Sequence, residues 1–89
     1  MTSIMPDNLE EIGTFDNDGL DVLSDETIER LKTGPYYVHH VAWDYCGYVW
    51  WSDGLYHEEV WVYGRCVARY DSDALEDVVS DTRHDYGRN

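Results

Sequence analysis

Residues 36–70 read YYVHHVAWDYCGYVWWSDGLYHEEVWVYGRCVARY. β-Branched and aromatic residues dominate this stretch and turn formers punctuate it, the signature of short antiparallel strands. The spacing predicts a first strand over 36–43, a turn at Asp44-Tyr45-Cys46-Gly47, a second strand over 48–51 and a turn at Ser52-Asp53-Gly54. A third strand then covers 57–62. Tyr63-Gly64 sits where a two-residue hairpin turn would, although Asn-Gly or Asp-Gly is the more usual pair, and a fourth strand covers 65–70. The alternative is one long strand over 57–70, bulged at Gly64. In the hairpin register Val62 faces Arg65, Trp61 faces Cys66, Val60 faces Val67, Glu59 faces Ala68 and Glu58 faces Arg69. The last is an expected cross-strand ion pair. Trp50 and Trp51 are consecutive, so they must point to opposite faces of the sheet. With helices on one face, the other is expected to carry uncovered Trp and Tyr, which calls for a second layer, a homodimer or a partner-binding patch.

Working outward, the flanks change from strand to helix patterning. Ser24 is an expected N-cap, with Asp25 and Glu26 in the first turn where the helix dipole favours them. Ile28 and Leu31 supply the apolar side and Gly34-Pro35 ends the helix, which therefore runs over 25–33. After the strands, Ser72 is an expected cap. Ala74, Leu75, Val78, Val79 and Thr82 recur at helical spacing, and the pattern fades at Tyr86-Gly87. Residues 1–23 are polar, acidic and rich in turn formers. They read as a loosely ordered acidic N-terminal segment, packed through Phe15, Leu20 and Leu23. Residues 24–86 read as a single α+β domain: a short helix, an antiparallel meander of three to four strands, and a C-terminal helix packed on one face.

Composition bounds the function. The chain has 89 residues, enough for one small domain with a modest core and little room for a deep active site. Four Trp and eight Tyr, all but Tyr86 between Tyr36 and Tyr70, supply bulk that the aliphatic residues do not. With 19 acidic residues against 6 basic ones, the net charge is −13. That balance argues against direct binding to nucleic acid or to an anionic membrane and favours a basic protein partner, cations or a salty interior. The first residues show neither a basic n-region nor an apolar h-region, and no apolar run approaches spanning length. The expected location is the cytoplasm of a host cell, with Cys46 and Cys66 as free thiols.

Asp73, Asp77, Asp81 and Asp85 recur every four residues along the last helix, with Glu76 on the flank and Asp71 at the start. Like charges at this spacing destabilise a helix by about 0.2–0.5 kcal/mol per pair, so the stripe serves solvent or a partner rather than the helix. A helical turn rises about 5.4 Å and two steps of a DNA strand about 6.8 Å. A carboxylate ladder therefore approximates every second phosphate of a strand. Other constellations are weaker. Asp16-Asn17-Asp18-Gly19-Leu20-Asp21 has the alternation of a calcium loop, but Thr14 and Asp25 fall where its first and last ligands belong, so an Asx-turn fits better. His39, His40, Cys46, His57, Cys66 and His84 match no zinc spacing. Cys66 with His57 has no recognisable oxyanion hole. The sequence therefore points to no catalytic residue, no metal and no cofactor.

The order of elements over 25–85, taken with the acidic stripe, resembles the small acidic phage-encoded inhibitors known as anti-CRISPR proteins, some of which mimic DNA. The resemblance is one of architecture and charge, and no functional residue carries over from it. It implies a non-enzymatic inhibitor that binds a basic, nucleic-acid-binding protein, such as a CRISPR effector. On that reading the partner-binding residues are Asp73, Glu76, Asp77, Asp81 and Asp85, with Glu58 and Glu59. Two alternatives keep the same fold. One is a phage or halophile structural or assembly protein whose acidity maintains solubility. The other is an acidic antitoxin or immunity protein.

Overall fold

The computed structural model describes residues 1–16 and 24–87. Their elements are β1 (Glu11–Asp16), α1 (Asp25–Leu31), β2 (Tyr36–Ala42), β3 (Tyr45–Ser52), β4 (Leu55–Val62), β5 (Arg65–Ser72) and α2 (Leu75–Tyr86). The strands form one sheet in the order β1-β2-β3-β4-β5. β2 to β5 are an antiparallel meander, as expected, and β1 adds to its edge parallel to β2. A parallel neighbour needs a crossover connection, and the chain through α1 supplies it. Within the stretch 1–23 that was expected to be loosely ordered, Glu11–Asp16 forms a regular strand instead. The expected packing of Leu20 and Leu23, the side chain of Phe15, and the Asp16–Asp21 run beyond the backbone of Asp16 lie outside the described residues.

Three tight turns set the meander. Asp53 and Gly54 both have positive φ, 55° and 81°, the conformation of a two-residue hairpin turn matched to strand twist. Tyr63 and Gly64 repeat it at 49° and 76°, so the chain makes a hairpin and not one bulged strand. The first turn is Trp43-Asp44, not the expected Asp44 to Gly47. Gly47 instead lies inside β3, opposite His39 and Val60. A Cβ there would sit 2.1 Å from Glu58 Oε2. The glycine is required by a close approach from the next strand, and its turn-like appearance is misleading.

The β4–β5 register agrees with expectation next to the turn, where Val62 faces Arg65 and Trp61 faces Cys66. It then shifts between Trp61 and Val60, leaving Val67 as the extra residue of a bulge. Beyond it Val60 faces Ala68, Glu59 faces Arg69 and Glu58 faces Tyr70. The expected Glu58–Arg69 pair is thus replaced by Glu59–Arg69, 3.7 Å apart.

Both helices cover one face. Ser24 caps α1 through its Oγ, which accepts the Thr27 N–H at 3.2 Å. In α2, Leu75, Val78, Val79 and Thr82 are buried as the periodicity required. Leu31, Val49, Tyr56, Leu75, Val78 and Val79 form the core cluster, with Ile28, Tyr37, Trp51 and Tyr70 packed against it. The second face is not bare. Residues of the N-terminal segment lie along it, held by Glu59: Ser3 Oγ donates to Oε1 at 2.6 Å and the Ile4 N–H to Oε2 at 2.7 Å. Arg69 Nη1 also donates to the Thr2 carbonyl at 3.3 Å. Trp50 on this face is 1% exposed and stacked on His57, ring centroids 5.1 Å apart. The prominently exposed aromatics are instead the turn residues Trp43 and Tyr63, 83% and 80% exposed. No helix among the described residues is long and apolar enough to cross a membrane.

Candidate interaction surface

The outer side of α2 carries the acidic stripe. Asp73 lies just before the helix and Glu76, Asp77, Asp81 and Asp85 lie on it, all five exposed. Burial of Leu75, Val78, Val79 and Thr82 on the inner side forces this arrangement, because the helical repeat sends the intervening positions to solvent. α1 lies on the same side of the sheet and exposes Asp25, Glu26 and Glu29. Glu29 is partly neutralised by Lys32, 3.7 Å away. The helical layer therefore has an acidic exterior, relieved on α2 by Arg83 and His84 in its last turn.

Two rungs of the stripe are also tied into the fold. Ser72 Oγ donates to Asp77 Oδ2 at 3.0 Å and accepts the Ala74 N–H at 3.1 Å, which secures the start of α2 in place of a direct cap from its N-cap residue, Ala74. Tyr70 donates its hydroxyl to Asp85 Oδ2 at 2.5 Å. That bond, then the one to His84, holds the Asp85 carboxyl below the usual carboxylate range. Burial first, and then Asp85, pushes the Tyr70 phenol well above its ordinary value, so it stays a donor. Asp73 and Asp81 make no such bond among the described residues.

Glu58 and Glu59, expected on the partner-binding surface, are both 0% exposed and cannot reach a partner. The strand alternation separates them. Glu58 points beneath α2, where Oε2 lies 2.7 Å from His39 Nδ1, itself fully buried. Burial pushes the Glu58 carboxyl up, opposed by the hydrogen bond and charge of His39 and then by Thr82. Glu59 points to the opposite face and gathers Ser3, the Ile4 amide, Trp61 Nε1 at 3.3 Å and Arg69. Both carboxylates hold the fold together. The alternation was readable from sequence, since Glu58 lies between Tyr56 and Val60. What the sequence did not show was a histidine opposite it or a segment returning over Glu59.

The other sequence candidates are separated. His57 hydrogen-bonds through Nδ1 to Asp71 and through Nε2 to the Ser52 carbonyl at 3.1 Å. Both ring nitrogens of His57 are thus engaged by oxygens within the fold and neither is turned to Cys66. Cys66 faces Trp61, four residues along β4 from His57, which is about 13 Å of strand. Burial pushes the Cys66 thiol up, away from a nucleophilic thiolate. Cys46 and Cys66 are both free. Among the described residues no three His, Cys, Asp or Glu come together as a metal site.

Comparison with protein-family models, with curated proteins and with solved structures returns no match.

Proposed function

We propose that this protein is a non-enzymatic inhibitor that presents the acidic exterior of α2 to a basic, nucleic-acid-binding protein. The observation that carries the reading is the exposed set Asp73, Glu76, Asp77, Asp81 and Asp85 on a chain of net charge −13. Four of these carboxylates lie on one helix packed against the sheet, so their backbone positions are set before a partner arrives. Preorganised charge of this kind steers association and competes with the partner's own polyanion. The resemblance to anti-CRISPR proteins makes an effector nuclease of bacterial defence the most specific form of that partner. Glu58 and Glu59 are not part of the surface.

A second reading is favoured by the bonds from Ser72 to Asp77 and from Tyr70 to Asp85. Half of the aspartate ladder has a structural task, which suits a phage structural or assembly protein whose remaining acidity keeps it soluble. Asp73→Asn with Asp81→Asn separates the two. Inhibition of a target nuclease by the wild-type chain, weakened in the double variant and more so at low salt, supports the first. Equal behaviour of the two chains at every salt concentration supports the second.

A further inference from the structure

Between the N-terminal segment and the second face of the sheet lies an open cleft of about 410 Å³, walled by Tyr36, Tyr48 and Trp61 and rimmed by Met5, Pro6 and Asp7 among others. The geometry points to this cleft as a binding site for an organic ammonium cation, a trimethylammonium head group above all. This inference stands apart from the acidic exterior of α2, which lies on the other side of the sheet.

The walls are the first argument. Tyr36 and Tyr48 have ring centroids 6.0 Å apart with planes at 64°, and Tyr48 and Trp61 are 6.0 Å apart at 83°. Rings so inclined make corners, and a cation resting in a corner meets more than one π surface. Attraction of a cation to aromatic faces operates within about 6 Å of a centroid and is strongest for Trp. The Trp61 indole N–H donates to Glu59 Oε1 at 3.3 Å. Donating this hydrogen bond to a buried carboxylate leaves the indole ring richer in π density.

Charge is the second argument. Asp7 is the charged residue of the lining among the described residues, and it is exposed at the cleft. Glu11 lies close enough to Tyr36 to act on its hydroxyl: burial first, then the Glu11 charge, holds that phenol up and uncharged. Anions are repelled by this setting. A bare metal ion would lack the ring of oxygen ligands it needs. An ammonium group sheathed in methyls satisfies both halves of the site, since its carbons take the apolar walls and its charge takes the ring faces and Asp7. A cleft of this volume holds such a head group with room for its substituent.

The test titrates the full chain with choline and tetramethylammonium, and separately with 3,3-dimethylbutan-1-ol, which has choline's shape without its charge. The N-methyl proton signals of the cation report ring faces directly, because π currents move them upfield. Saturable binding of both cations, about tenfold tighter than the alcohol, is the expected result. Trp61→Leu should abolish the upfield shift and Tyr48→Phe should keep it. Because Trp61→Leu also removes a bond to Glu59, Asp7→Asn is the companion variant. It touches no core and should weaken the cations several-fold while leaving the alcohol unchanged. A trimethyl-lysine peptide in the same titration distinguishes a protein-borne head group from a free one, binding tighter than choline in the first case and weaker in the second. Equal binding of choline and the alcohol, or no saturable binding of either cation by the natively folded chain, overturns the inference.

Discussion

Glu58 shows how one polar side chain determines residues on three strands. Its carboxyl lies under α2 against His39 and occupies the space that a Cβ at position 47 would need, 2.1 Å from Oε2. Gly47→Ala should therefore cost about 1–3 kcal/mol as overpacking, measured by urea unfolding. Made in a Glu58→Ala background, the same Gly47→Ala substitution should cost less than it does in the wild-type chain, because the clashing atom is gone. The pair also makes stability depend on pH. The folded Glu58 carboxyl is raised, so the native state holds a proton that the unfolded state releases. This contribution is fully present below the ordinary carboxylate value and is lost as pH rises toward the raised one. His39→Leu removes the larger influences that pull the carboxyl back, leaving only Thr82, which should deepen the loss at neutral pH. Stranding one member of a buried pair costs about 3–5 kcal/mol, and the variant should be far less impaired at about pH 4, where Glu58 is protonated. Equal destabilisation at both pH values would contradict this account. The sequence placed Glu58 between two core residues, yet a Glu-Glu pair reads as surface charge unless its neighbours are known. Gly47 was misread for a related reason, since a glycine that admits a distant carboxyl looks the same as one that permits a turn.

Elements with a strong local signature were legible. The capped α1, the buried stripe of α2 and the strands β2 to β5 follow from propensity and period, and the structure has them. Elements whose existence depends on distant pairing were not. β1 has little apolar content and gains its place from the edge of β2. The bulge at Val67 has no marker in the sequence, and it moved Arg69 from the expected Glu58 to Glu59. The β4–β5 turn is a weak point that can be strengthened. Tyr63 holds φ of 49° with an 80% exposed side chain, so its ring contributes little against a backbone cost of about 1–2 kcal/mol for a left-handed non-glycine residue. Tyr63→Asn should raise stability by about 0.5–1 kcal/mol, read from the urea midpoint; a lower midpoint would mean that the tyrosine ring packs usefully. The N-terminal segment depends on Glu59. Ser3→Ala removes the 2.6 Å bond and should speed hydrogen exchange at the Ile4 amide by about tenfold or more, with the core amides unchanged.

Taken whole, the molecule has an acidic helical exterior on one side and an aromatic sheet face under its own N-terminal segment on the other. The net charge of −13 and the exposed α2 stripe were readable before the fold was known. Which acids are free for a partner was not, because that depends on burial of Glu58 and Glu59 and on the bonds to Asp77 and Asp85. Asp73 and Asp81 are therefore the positions at which charge can be removed without loosening the structure. Asp73→Asn with Asp81→Asn should leave stability within about 0.5 kcal/mol of wild type, since exposed substitutions away from structural bonds seldom do more. The direct measurement immobilises the wild-type chain and this variant, exposes both to bacterial lysate over a range of salt, and elutes with duplex DNA. The account expects the wild-type chain to retain a basic nucleic-acid-binding protein at low salt, to release it to DNA, and to outperform the variant most strongly at the lowest salt. Equal retention by both chains, insensitive to DNA, would contradict it.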